Sequence, residues 1–147
     1  SGRKYIGVYP NNDMGNEILM EEMGVLMNHN NFRIFPSIRF EYFLVFLKNC
    51  DFIIGNSSAG VREAEVYGKT AINIGTRQQN RHHSPNIINV REDKNEILDA
   101  IRKADTMVNE NGYTFGDGRS SERFYEIIKS NETWEVPKQK YFVDIDF

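Results

Sequence analysis

The chain has 147 residues, enough for one domain with a sizeable core, and its 39% hydrophobic and 27% charged content matches an ordinary globular protein. A net charge of −3 gives no basic face for nucleic acid, and no apolar run approaches the ~20 residues of a membrane span. The single cysteine, Cys50, rules out an internal disulfide and fits a reducing cytoplasm.

In chain order, Ser-Gly-Arg opens without an initiator Met and strand-like sequence begins almost at once at Lys4, as in a piece cut at a domain boundary. Residues 5–9 predict a first strand, ended by Pro10 and the polar turn Asn11-Asn12-Asp13. A helix follows, with Ile18, Leu19, Met23 and Leu26 near helical spacing. Residues 32–35 predict a second strand stopped by Pro36. Phe40, Phe43, Leu44 and Leu47 then fall at i, i+3, i+4 and i+7, the signature of an amphipathic helix. Residues 51–55 predict a buried strand, 58–67 a helix, 70–74 a strand, 75–85 a long polar loop and 86–90 a fifth strand. Asp93-Lys94-Asn95-Glu96 has capping-box character and opens a helix that buries Ile97, Leu98 and Ile101. After a turn-rich loop at 112–118, Ser120 or Ser121 is expected to cap a last helix containing Phe124, Ile127 and Ile128. Beyond Ser130, Trp134, Tyr141 and Phe142 show no periodicity, and such an aromatic tail is expected to pack on another part of the protein. The alternation predicts an α/β domain over residues 1–130, a doubly wound parallel sheet with helices on both faces, and a separate tail over 131–147.

The stretch Gly55-Asn56-Ser57-Ser58-Ala59-Gly60-Val61-Arg62-Glu63 carries the most chemistry. A strand, a small-residue turn and a helix start present unpaired N–H groups and a favourable dipole to an anion. Ser57 and Ser58 add hydroxyl donors, while Ala59 and Gly60 let a phosphate come close. Glu63 is out of place beside a phosphate unless it accepts from sugar hydroxyls attached to it. In an open parallel sheet the ligand lies beyond the carboxyl ends of the strands, so the loops at 10–13, 36–37, 55–60 and 75–81 are expected to gather on one rim. The last brings Arg77 and Arg81 towards the anion, and a guanidinium fork suits phosphate or ribose oxygens. Each piece also has a plainer reading. The serines serve equally as a helix cap, Glu63 as a solvated helix residue, Asn11 to Asp13 as an ordinary turn, and the arginines as surface charges. His82 and His83 lack a spaced third metal ligand and are expected to be exposed loop residues. Cys50 has no nearby catalytic histidine in the sequence and is expected to pack.

At Tyr9-Pro10-Asn11-Asn12-Asp13, Ile54 through Glu63, Ala71-Ile72-Asn73-Ile74-Gly75-Thr76-Arg77-Gln78 and Phe115-Gly116-Asp117-Gly118, the chain resembles the hydrolysing UDP-N-acetylglucosamine 2-epimerases. The motifs have that family's order and spacing and span nearly the whole chain. The serine motif differs from the Gly-Gly and Gln-Glu-Glu version of non-hydrolysing relatives. The resemblance implies a GT-B fold of two Rossmann-like domains facing across a cleft, with this chain as the C-terminal, UDP-holding half. It implies that Ser57, Ser58 and the helix start at Ala59 and Gly60 bind the diphosphate, Glu63 the ribose hydroxyls, and that Arg77 lies beside the nucleotide and stabilises the leaving group. Asn11 falls at a family ligand position, and Phe35 lies where backbone groups meet the uracil ring. Some members carry a basic residue where this chain has Glu17. The resemblance implies no cofactor and no metal. Its partners are UDP, a UDP-amino-sugar substrate and an N-terminal domain bearing the acid–base carboxylates and an active-site histidine; a homo-oligomer is compatible with it. A GT-B glycosyltransferase, a non-catalytic nucleotide-binding module and a domain with no ligand stay open as alternatives.

Overall fold

The computed structural model describes residues 2–10, 16–135 and 137–139. Asn11 and its neighbours in the first turn, and Tyr141 and Phe142 in the tail, lie outside the described residues. The elements run β1 (Tyr5–Val8), α1 (Asn16–Leu26), β2 (Phe32–Phe35), α2 (Phe40–Asn49), β3 (Phe52–Gly55), α3 (Ser58–Val61), α4 (Glu63–Val66), β4 (Thr70–Ile74), β5 (Ile87–Val90), α5 (Lys94–Ala104) and α6 (Ser120–Lys129). A 3₁₀ turn at Asn131–Trp134 follows α6.

All strand pairings are parallel, so every strand must be reached by a crossover. β4 sits between β3 and β5, and its side chains alternate between two buried faces. Ile72 packs with Val90, Ala100 and Ala104 beneath α5. Ala71 packs with Leu47 and Ala64 beneath α2 and α4 on the other side. Two covered faces explain the nearly unbroken apolar strands, and burial of a side chain such as Ile72 contributes roughly 1.5–3 kcal/mol. The small residues Ala64, Ala100 and Ala104 let helix backbones come close to the sheet. This is the Rossmann-like α/β architecture with helices on both faces.

The strands do not form one continuous sheet among the described residues. β1 and β2 make one ladder, β3, β4 and β5 another. Stacking of Tyr5 on Phe32, with ring centroids 4.9 Å apart, supports the first pair. Side chains link the ladders: Arg3 donates to Asp51 and Asp105 and its guanidinium lies 5.5 Å from the Phe52 ring centroid.

The segment expected as one helix over 58–67 is two short helices meeting at Arg62, where φ is −106° and ψ −62°. Gly60, the weakest helix former of the segment, lies in its first turn, so a continuous helix is poorly supported. The expected capping box is half formed. Asp93 Oδ1 accepts from the N–H groups of Asn95 and Glu96 at 2.9 and 3.0 Å. Glu96 instead turns to Arg91, accepting from its backbone N–H at 2.9 Å and its Nε at 2.7 Å, and these bonds hold the Glu96 carboxyl below its ordinary range. The last helix is not capped by a serine either. Ser120 is its first residue, and Asp117 closes the turn, accepting from the Arg119 N–H at 3.2 Å and from Arg123 Nη2 at 2.8 Å. Trp134 folds back, its indole N–H donating to the Ile128 carbonyl at 2.8 Å while the side chain stays exposed. No helix among the described residues is long and apolar enough to cross a membrane.

Candidate nucleotide site

The ends of β3 and β4 launch the two segments that carry the candidate residues. β4 is followed by Gly75, whose φ of +76° strains any residue with a side chain. An added Cβ would also meet Glu92 Oε1 at 3.0 Å. With its N–H bonded to the Val90 carbonyl at 2.9 Å, Gly75 turns the chain into a crossover over 75–86 that contains no regular element.

At the end of β3, Ser57 is the N-cap of α3, with extended backbone angles. Its Oγ accepts from the Ala59 N–H at 3.3 Å, and its carbonyl accepts from the Gly60 N–H at 3.1 Å. The capping role read from the sequence is therefore real. Among the described residues, the Ser58 N–H and hydroxyl donate to no protein group. Because α3 has only four residues, its dipole is small. Attraction for an anion at this turn comes from the nearby N–H and O–H donors themselves. Gly60 packs tightly, with an added Cβ only 3.4 Å from that of Ala71, which draws the turn down onto β4.

Glu63 begins α4 and is half-buried. Its Oε2 is sealed from solvent and has no hydrogen-bond partner among the described residues. A solvated surface role is thus excluded for that oxygen. A buried carboxylate oxygen without a donor is costly, so an orphan of this kind marks a position that a further donor would stabilise. Gln78, which the sequence did not single out as a site residue, is buried. Its Nε2 donates to the Asn56 carbonyl at 3.0 Å, while its Oε1 is a second orphaned acceptor. This bond staples the crossover to the Gly55–Ser58 turn. Arg77, one residue earlier in the sequence, is exposed. Asn73 pairs in register with Gly55 and Asn89; its Nδ2 donates to Asn89 Oδ1 at 2.8 Å and its Oδ1 is a third orphan.

The three-stranded ladder therefore supplies Ser57, Ser58, Ala59, Gly60, Glu63 and Arg77. Phe35 stands apart, at the end of β2 in the other ladder, where its carbonyl accepts from the Tyr9 N–H at 3.1 Å. Asn11 lies outside the described residues. A crevice of about 150 Å³ runs beneath the crossover beside Gln78, His82 and Asn89.

His82 departs from expectation. Its side chain is only 11% exposed, and Nε2 lies 3.1 Å from Glu65 Oε1 on α4. The reason is topological: β5 is parallel to β4, so the crossover must run back along the helix face, and His82 falls against α4. His83 is exposed as expected. No three His, Cys, Asp or Glu side chains gather as metal ligands among the described residues. Cys50 packs beside Leu47, its Sγ donating to the Leu47 carbonyl at 3.2 Å, and burial pushes its thiol pKa up, away from reactivity.

Comparison with known proteins gives the same picture from sequence. The family model of UDP-N-acetylglucosamine 2-epimerase matches residues 2–129. The chain is 46% identical to the UDP-N-acetylglucosamine 2-epimerase of Neisseria meningitidis serogroup B, over 99% of this chain and 40% of that protein. It is 33% identical to a UDP-N,N'-diacetylbacillosamine 2-epimerase (hydrolyzing) of Legionella pneumophila, over 82% of this chain and 32% of that one. It is 34% identical to polysialic acid biosynthesis protein P7 of Escherichia coli, over 66% of this chain and 25% of that protein. The chain spans at most 40% of the length of these relatives. By the match over residues 2–129 and the motifs that shape the turn after β3, the chain belongs to the UDP-N-acetylglucosamine 2-epimerase family.

Proposed function

We propose that this chain is the UDP-binding half of a hydrolysing UDP-N-acetylglucosamine 2-epimerase with a GT-B fold, residues 1–130 forming the nucleotide domain and 131–147 a tail. The single observation that carries the reading is the buried Glu63 Oε2, without a partner among the described residues, beside a turn whose Ser58 donors meet no described protein group. A ribose diphosphate matches both: its hydroxyls donate to Glu63, and its phosphate oxygens accept from the Ser57 hydroxyl and the Ser58 N–H and hydroxyl, with the small residues Ala59 and Gly60 allowing close approach. Asn11 and Phe35 are assigned to the nucleotide by family position alone.

The reaction is an elimination followed by hydration. The C2–H bond breaks, its electron pair forms the C1–C2 double bond, and the C1–O bond breaks to release UDP. Water then adds across the double bond, hydroxyl to C1 and proton to C2, on the face that yields the manno sugar. Acid–base groups for these proton transfers belong to the other half of the cleft. This half holds UDP, and Arg77 with the donors of the turn stabilises the charge that grows on the diphosphate as C1–O breaks. The substrate is UDP-N-acetylglucosamine or a diacetamido analogue such as the one named for the Legionella relative, and the product serves sialic-acid-type sugars in the cytoplasm.

The whole protein, incubated with UDP-N-acetylglucosamine and no acceptor, is expected to release UDP and free N-acetylmannosamine in equal amounts. A glycosyltransferase, the alternative, would release UDP in step with transfer only once an acceptor was added. Proton NMR of the sugar product distinguishes the two, and acceptor-dependent turnover would overturn the epimerase reading.

A further inference from the structure

The Glu65 carboxylate gathers segments distant in sequence. His82 Nε2 lies 3.1 Å from its Oε1, and the two side chains are 11% and 12% exposed. The Thr114 hydroxyl donates to the same oxygen at 3.2 Å, and the Gly112 N–H donates to the Glu65 backbone carbonyl at 3.0 Å. Packing there is tight enough that a Cβ on Gly112 would fall 2.5 Å from Oε1 and 2.7 Å from both Cδ and Cγ. The His82 ring meets Phe115 edge-on with centroids 5.1 Å apart, and the Arg62 guanidinium lies 5.5 Å from the Phe115 ring centroid. A carboxylate this buried needs its donors, and His82 provides one of two from side chains.

The crossover over 75–86 has no secondary structure to stiffen it, so its shape depends on fixed points. One is Gln78 on the Asn56 carbonyl; another is Asn86 Nδ2 on the Glu110 carbonyl at 2.8 Å. Between them lies Asn80 in the left-handed region at φ +62°, a turn conformation that asparagine adopts readily. His82 is the fixed point on its carboxyl-terminal side. We propose that Glu65 and His82 are positioning residues, pinning the crossover that carries Arg77 onto the helix that begins with Glu63, so that phosphate clamp and ribose acceptor keep their spacing. This rests on the UDP site proposed above.

The test compares this chain with its His82→Ala, His82→Gln and Gly112→Ala variants, by calorimetric titration with UDP and uridine and by amide hydrogen exchange over 76–81. In His82→Ala, exchange is expected to quicken about tenfold and UDP affinity to fall about tenfold, while uridine, lacking phosphate, changes less than about twofold. His82→Gln keeps a donor for Glu65 and is expected to restore both readouts. Gly112→Ala displaces the carboxylate from the other side and is expected to reproduce His82→Ala. Unchanged exchange and UDP affinity in His82→Ala, or equal losses for UDP and uridine, would overturn the proposal. Failure of the unsubstituted chain to bind UDP would instead overturn the underlying site, a result distinguishable because the exchange measurement needs no nucleotide.

Discussion

Replacement of Glu63 by alanine is expected to weaken UDP binding ten- to hundredfold. In the proposed site the carboxylate accepts from ribose hydroxyls, and a hydrogen bond to a charged group contributes about 1.5–3 kcal/mol, which is that range of affinity. The free protein is expected to respond the opposite way. Among the described residues Glu63 Oε2 is buried with no hydrogen-bond partner, so its removal should leave thermal stability unchanged or slightly higher. Loss of binding together with retained or raised Tm is the pattern of a residue kept for its ligand at some cost to the fold. A glutamate that merely supported α4 would give a lower Tm and unchanged UDP affinity. Calorimetric titration and a thermal melt on the same preparation read both.

Arg77→Ala is expected to lower kcat of the whole protein about 10²- to 10³-fold, the scale seen when one preorganised donor to developing charge is removed. In the proposed elimination the diphosphate gains charge as the C1–O bond breaks, so the loss should appear in kcat beyond any loss of ground-state binding. UDP affinity should fall more than uridine affinity, because the guanidinium addresses the anionic part. Lysine keeps the charge without the planar fork and should recover only part of the rate. Equal weakening of UDP and uridine with kcat unchanged would remove Arg77 from the leaving-group site.

Much of the scaffold was legible because burial leaves periodic marks. The apolar runs that predict strands at 51–55 and 70–74 lie on β3 and β4 to within a residue, and the spacing of Phe40, Phe43, Leu44 and Leu47 marks α2. Asp93 was recognisable as a cap because its role is local, three residues from the N–H it holds. Ser57 was legible as a cap for the same reason. What escaped depends on contacts without local periodicity. Gln78 meets Asn56 across 22 positions and His82 meets Glu65 across 17, separations set only once β4 and β5 are side by side. The break at Arg62 goes with Gly60, a weak helix former in a segment too short to sustain a regular helix. Glu96 left the expected capping box because Arg91, upstream of the cap, offered a charged donor. In the site, residue types and spacing marked Ser57, Ser58, Glu63 and Arg77 as candidates, but only the fold exposed the unpaired oxygen that distinguishes Glu63 from an ordinary helix glutamate.

The most direct measurement is a crystal structure of this chain with UDP. The account predicts diphosphate oxygens within hydrogen-bond distance of the Ser58 N–H and hydroxyl, both ribose hydroxyls turned to Glu63, and Arg77 closed over the phosphates. UDP seated away from the turn after β3, or Glu63 Oε2 still unpaired with nucleotide bound, would contradict it.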